Sequence, residues 1–98
     1  MAIGLLATIT VQDGKNAEFE EAFLNLTEQV RANETGNLFY ALHRSPVDPQ
    51  VYRVMEQYEN QEALEAHGKT EYFLKASAQL ADLVARTPEI EVMEAVTR

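Results

Sequence analysis

A two-layer α+β sandwich, built on one four-stranded antiparallel sheet, is the fold class this sequence predicts. Two observations predict it. Hydrophobic periodicity switches along the chain between two residues, the strand repeat, and 3.6 residues, the helix repeat. The switches fall at turn-forming residues, in the order strand, helix, strand, strand, helices, strand. With 98 residues the chain makes a single domain, 1–98, with no room for a second core.

Each element has a local reason. In Ala2–Val11, Ile3, Leu5, Ala7, Ile9 and Val11 alternate onto one face, as a half-buried strand requires. Asp13-Gly14 then turns the chain. From about Lys15 to Glu34, Phe19, Ala22, Phe23, Leu26 and Val30 recur at helical spacing, and the glutamates lie mostly off that stripe. Gly36 suits the left-handed position that follows a helix. NLFYALHRS and VYRVMEQYE read as a hairpin, because the two prolines of PVDPQ forbid a helix between them. Facing Ser45 with Val51 pairs Arg44 with Tyr52, Leu42 with Val54, Tyr40 with Glu56 and Leu38 with Tyr58. Neither face of the hairpin is plainly polar, so the side without helices also needs cover, as a second subunit would provide.

Asn60 caps a short helix, Gln61–His67, which Gly68 ends. Thr70 caps the next, whose stripe is Phe73, Ala76, Leu80, Leu83 and Val84, and Pro88 stops it. EIEVMEAVT is the last strand, with Ile90, Val92 and Val96 on one face. The order βαββ(α)αβ is ferredoxin-like.

Composition excludes several functions. A net charge of −8 repels phosphate backbones and anionic membrane surfaces, so neither nucleic acid nor membrane is expected as a partner. The apolar N-terminus lacks a basic flank and is too short to span a bilayer. Without cysteine there is no disulfide and no thiolate metal site, which fits a cytoplasmic protein. No phosphate-cradling glycine run, HExxH helix or GxSxG elbow occurs, so no metal or other cofactor is expected. A domain this small buries only roughly 60–65% of its unfolded surface, and self-association is a common remedy.

Residues 34–73 carry a further pattern. Glu34-x-Gly36-Asn37-Leu38-x-Tyr40 precedes an Asp-Pro hairpin; Tyr52-x-x-x-Glu56-x-Tyr58 follows, and Ala63-Leu64-x-x-His67-x-x-Thr70-x-x-Phe73 closes the run. This resembles the antibiotic biosynthesis monooxygenase family, quinol monooxygenase-like members included, within the dimeric α+β barrel superfamily. The resemblance implies a homodimer with sheets packed face to face and a pocket between sheet and helices. It implies oxygenation of a small hydroxylated aromatic or quinol by O2 without flavin, haem or metal. Relatives in the same fold isomerise small carbonyl compounds or degrade haem. The haem-degrading branch uses an asparagine in the first strand and a histidine in the long helix; LLATIT and LKASAQL here have neither. A non-catalytic dimer that binds a small aromatic ligand is the remaining alternative.

The resemblance carries over His67, Tyr72 and Tyr40 as catalytic candidates, with Phe73 and Glu56 beside the substrate. Histidine is the natural base, because its ordinary pKa of about 6.5 lets it exchange protons near neutrality. Tyr40, Tyr72 and Arg44 are donors for developing oxyanion charge, and Phe23, Leu38, Phe39, Met55 and Phe73 are the apolar walls. Each has a structural rival. Imidazole at a helix C-terminus is favoured by the dipole alone. Phe23 and Phe73 sit on core stripes, a Tyr40–Glu56 hydrogen bond across the hairpin would serve structure alone, and Arg44 balances an acidic surface.

Overall fold

The computed structural model describes residues 1–98. Its elements are β1 (Ile3–Thr10), α1 (Asn16–Asn33), β2 (Asn37–Arg44), β3 (Val51–Tyr58), α2 (Gln61–Lys69), α3 (Glu71–Ala81) and β4 (Glu89–Glu94). The four strands form one antiparallel sheet in the order β2-β3-β1-β4, with the helices on one side. This is the ferredoxin-like α+β arrangement that the element order predicts. No helix is long and apolar enough to cross a membrane.

Strand alternation divides the sheet cleanly. Ala7, Ile9, Tyr40, Tyr52, Val54, Glu56 and Tyr58 face the helices and are buried. Phe19, Phe23, Leu26 and Val30 of α1 close over them; burial of such a side chain contributes about 1.5–3 kcal/mol. The opposite side has no helix, and there Phe39 and Met55 remain nearly half exposed.

The hairpin register agrees with the expectation for Arg44, Leu42 and Tyr40. It departs at the far end, where Asn37, not Leu38, stands opposite Tyr58 and the register shifts between Asn37 and Phe39. Asn37 stabilises the irregularity, because its Nδ2 donates to the carbonyls of Phe39 and Gln57.

Three further expectations are corrected. Gly36 does not adopt the left-handed conformation; α1 ends on an extended Glu34, and Gly14 alone has positive φ. Gly36 is required for space, since a Cβ there would lie 2.7 Å from Ala63 Cβ of α2. Gly68 does not end α2, which runs on to Lys69. Helix α3 stops at Ala81 and not near Pro88, because Val11 and Gln12, beyond β1, capture the chain that follows. Val84 bridges to Val11, and Gln12 Nε2 donates to the carbonyls of Asp82 and Val84.

The helix layer also stops short of β4. Ile90 and Val92 pair with Ala7 and Leu5 and share their helix-side face, yet remain 63% and 54% exposed.

Adding a methyl group at the α2 contact should therefore overpack it. Gly36→Ala is expected to lose about 1–3 kcal/mol in denaturant unfolding. The double variant with Ala63→Gly should recover part of that loss despite the helix penalty of glycine.

Candidate active site

The site is built where the end of α1, the end of α2 and the start of α3 meet over the sheet. Asn60 Oδ1 accepts from the Ala63 amide at 2.8 Å and fixes the start of α2. Thr70 fixes its end. The Thr70 hydroxyl donates to the His67 carbonyl at 3.0 Å and accepts from the Phe73 amide at 3.3 Å. One side chain thus joins two helix termini and holds the backbone of His67.

The imidazole of His67 is only 4% exposed. Its ring is packed against Phe73 at 4.6 Å and against Tyr40 and Tyr58 at 5.4 Å each, between centroids. Nδ1 lies 3.0 Å from both carboxylate oxygens of Glu34. The Tyr72 hydroxyl donates to the same carboxylate. A carboxylate only accepts, so the proton of a neutral imidazole sits on Nδ1 and Nε2 keeps its lone pair.

Nε2 forms no hydrogen bond within the chain, nor does the Tyr40 hydroxyl. No side-chain polar atom is both sealed from solvent and unpaired, so both groups open on the adjoining cavity. That cavity measures about 590 Å³. Leu5, Ala7, Ile9 and Val54 form its floor, and Phe73, Ser77 and Leu80 of α3 its opposite wall. Its length follows β1 from Leu5 to Ile9, roughly 13 Å at the strand rise. His67, Tyr40 and Glu56 cluster with Phe73 at one end, and the 84–88 segment with Arg86 lies at the other.

Burial sets the proton affinities. The Glu56 carboxyl is pushed up from its usual 4.5 to about 7, mainly by desolvation; the Tyr58 hydroxyl donating at 2.7 Å opposes the shift, and the Glu34 charge adds to it. Tyr40 and Tyr58 are raised by burial and then by the Glu56 charge. Tyr72 is pushed up to about 12 by burial and by its bond to Glu34. All three phenols therefore keep their protons at neutral pH; Tyr58 and Tyr72 donate theirs to Glu56 and Glu34, and the Tyr40 donor is free.

Of the residues expected from the sequence, His67, Tyr40, Phe23, Glu56 and Phe73 line this cavity. Tyr72 does not; it reaches His67 through Glu34. Phe39 and Met55 point to the side of the sheet without helices, and Leu38 lies 53% exposed at the register shift, so none of the three is a cavity wall. Arg44 pairs with Glu20 at 3.2 Å, beside the Tyr52 hydroxyl, in a separate shallow groove. Glu34 escaped the sequence reading although it opens the family pattern. Its signal was a carboxylate just past a helix whose apolar stripe had ended.

The chain belongs to the antibiotic biosynthesis monooxygenase family, whose model matches residues 2–79. A structure from Caulobacter crescentus CB15, named as a candidate antibiotic biosynthesis monooxygenase, is 46% identical; the match covers 98% of this chain and 91% of that one, with a TM-score of 0.96. A Pseudomonas aeruginosa structure is 30% identical over 98% and 95% of the two chains, with a TM-score of 0.87. A Nitrosomonas europaea structure, also named as a candidate monooxygenase, shares the fold at 23% identity, over 97% of this chain and 90% of that one, with a TM-score of 0.93. No curated protein matches the sequence.

The Glu56 shift makes stability depend on pH. Below about pH 4.5 the carboxyl is protonated whether folded or not, and its contribution is fully present. As pH rises to about 7 the unfolded chain ionises while the folded chain resists, so stability falls by about 3 kcal/mol. Glu56→Gln cannot ionise. Denaturation curves at pH 4.5 and 8 should show a smaller decline for this variant than for the wild type.

Proposed function

We propose that this protein is a cofactor-independent monooxygenase, acting on a small quinol or hydroxylated aromatic with O2. The observation that carries the reading is the His67 imidazole, held through Nδ1 by Glu34 and presenting an unpaired Nε2 to an apolar cavity. A neutral quinol reacts slowly with triplet oxygen because the direct reaction is spin-forbidden. Its anion gives up an electron far more readily, after which oxygen combines at a ring carbon. The protein must supply a base, a donor for the anion and a dry pocket.

His67 Nε2 accepts the hydroxyl proton, and Glu34 stabilises the imidazolium that results. The Tyr40 hydroxyl donates to the substrate oxyanion. Phe23, Phe73 and the β1 side chains exclude water. A quinol and O2 give a hydroxyquinone and water; the substrate supplies all four electrons, and no external reductant is needed.

The working unit in this reading is a homodimer. Phe39, Met55 and Met93 are 41–47% exposed on the side of the sheet without helices, beside the half-buried Leu6. A second copy packed there would cover them. Met55→Glu would place an unpaired carboxylate in that interface and should weaken association. Sedimentation unchanged by the substitution would place the interface elsewhere.

Oxygen uptake with a panel of quinols tests the activity. His67→Ala should lower kcat on the order of 10²–10⁴-fold, the range for a positioned base, and leave the sedimentation of the protein unchanged. Turnover without oxygen uptake would instead assign proton transfer alone, as in isomerisation of a carbonyl compound. Saturable binding without turnover would assign a ligand-binding dimer.

A further inference from the structure

A second proton-carrying group lies beside His67, and the steps above do not use it. Glu56 is 7% exposed on the helix-side face of β3, directly opposite Tyr40 across the hairpin. Its Oε1 accepts from the Tyr58 hydroxyl. Its Oε2 has no partner in the chain, and since no polar side-chain atom is both sealed and unpaired, this oxygen opens on the cavity. The His67 ring packs on Tyr40 and on Tyr58, the two residues that flank Glu56. Base and carboxyl therefore border the same end of the cavity.

No cation pairs with Glu56. The groups around it are Tyr58 on its own strand, Tyr40 on β2, Glu34 beyond α1, His67 on α2 and Tyr72 on α3, where it binds Glu34. The neighbours from β1 and α1 are Leu5 and Phe23. A carboxyl surrounded by phenols, apolar walls and a second carboxylate keeps its proton to near neutrality. A carboxyl that resists ionisation beside an imidazole with a free Nε2 divides the work of acid and base.

We propose that Glu56 is the catalytic acid of this site, giving its proton to the outer oxygen of the peroxide that forms on the substrate ring. The inference rests on the monooxygenase reading. After His67 removes the hydroxyl proton, the quinol anion passes one electron to O2. The resulting radical and superoxide couple into a carbon–oxygen bond, leaving a ring-bound peroxide anion. Glu56 protonates its outer oxygen. The hydrogen on that ring carbon then leaves as a proton to the Glu56 carboxylate, and its electron pair forms the new carbonyl. The O–O bond breaks with its pair on the outer oxygen, which leaves as hydroxide and takes the His67 proton to become water. Both side chains return to their starting states. Without the acid, the peroxide reverts or escapes as hydrogen peroxide.

The test compares wild type, Glu56→Gln and Glu56→Asp on a quinol that the wild type turns over. Three quantities are read: oxygen uptake, hydrogen peroxide release and the absorbance change of the bound quinol on ionisation. For Glu56→Gln, kcat should fall on the order of 10²–10⁴-fold, with ionisation of the bound quinol retained and oxygen diverted to hydrogen peroxide. The wild-type rate should fall as pH rises through about 7, and this limb should vanish in Glu56→Gln and persist in Glu56→Asp. A Glu56→Gln enzyme with wild-type rate and the same pH limb overturns the proposal and leaves the monooxygenase reading standing. Loss of quinol ionisation in that variant also overturns it, since Glu56 would then position the substrate and not donate. A wild type that takes up no oxygen with any quinol removes the monooxygenase reading, and this inference with it.

Discussion

Everything at the site depends on one carboxylate. Glu34 follows α1, and it receives His67 from α2 and Tyr72 from α3. Two donors on one acceptor fix the angle at which three helix termini meet. The same bonds decide which nitrogen of His67 carries the proton, and so which atom can do chemistry. A buried imidazole with no acceptor at Nδ1 would be free to take either tautomer or to turn its ring. Gly36, two residues later, lets α2 approach closely enough for the bond to form. The backbone requirement and the chemical one are thus adjacent in the chain.

Around that anchor the site sorts its proton carriers by environment and not by residue type. Three tyrosines and a glutamate stand within or beside the cavity, and burial pushes all four toward their neutral forms. Within the site, the Glu34 carboxylate alone gathers donors from two residues, whereas Glu56 accepts only from Tyr58. The inner end of the cavity is therefore lined mainly by apolar and neutral polar groups, while the one lining arginine lies at the other end, on the 84–88 segment. A bound aromatic at the inner end would meet one free hydroxyl donor, that of Tyr40.

The fold was largely legible in the sequence because strand and helix repeats are local, and the Asn60 and Thr70 caps are signalled by single residues. The hairpin register was legible from its prolines up to Leu38, where a side-chain amide from Asn37 displaces the ladder. The end of α3 was not legible. Leu83 and Val84 continue its apolar stripe, but Gln12, some seventy positions earlier, binds the backbone that a further turn would have used. The site divided along the same line. His67, Tyr40, Glu56, Phe23 and Phe73 were named from pattern, and all five border the cavity. Phe39 and Met55 were named as well, because hydrophobicity alone does not say which face of a sheet receives the helices. Glu34 passed unmarked because its meaning lies in two partners more than thirty residues away.

The tyrosines have an optical consequence. The chain has no tryptophan and four tyrosines, so its near-ultraviolet absorption and emission come mainly from phenols. Tyr40 and Tyr58 pack directly on the His67 ring, and Tyr72 is one carboxylate away. Tyr52 alone lies outside this group, bonded to Glu20. Three of the four phenols thus lie beside the bound imidazole. A ligand entering the cavity changes the surroundings of the emitting rings themselves, so occupancy can be followed in the unlabelled protein without a reporter that perturbs it.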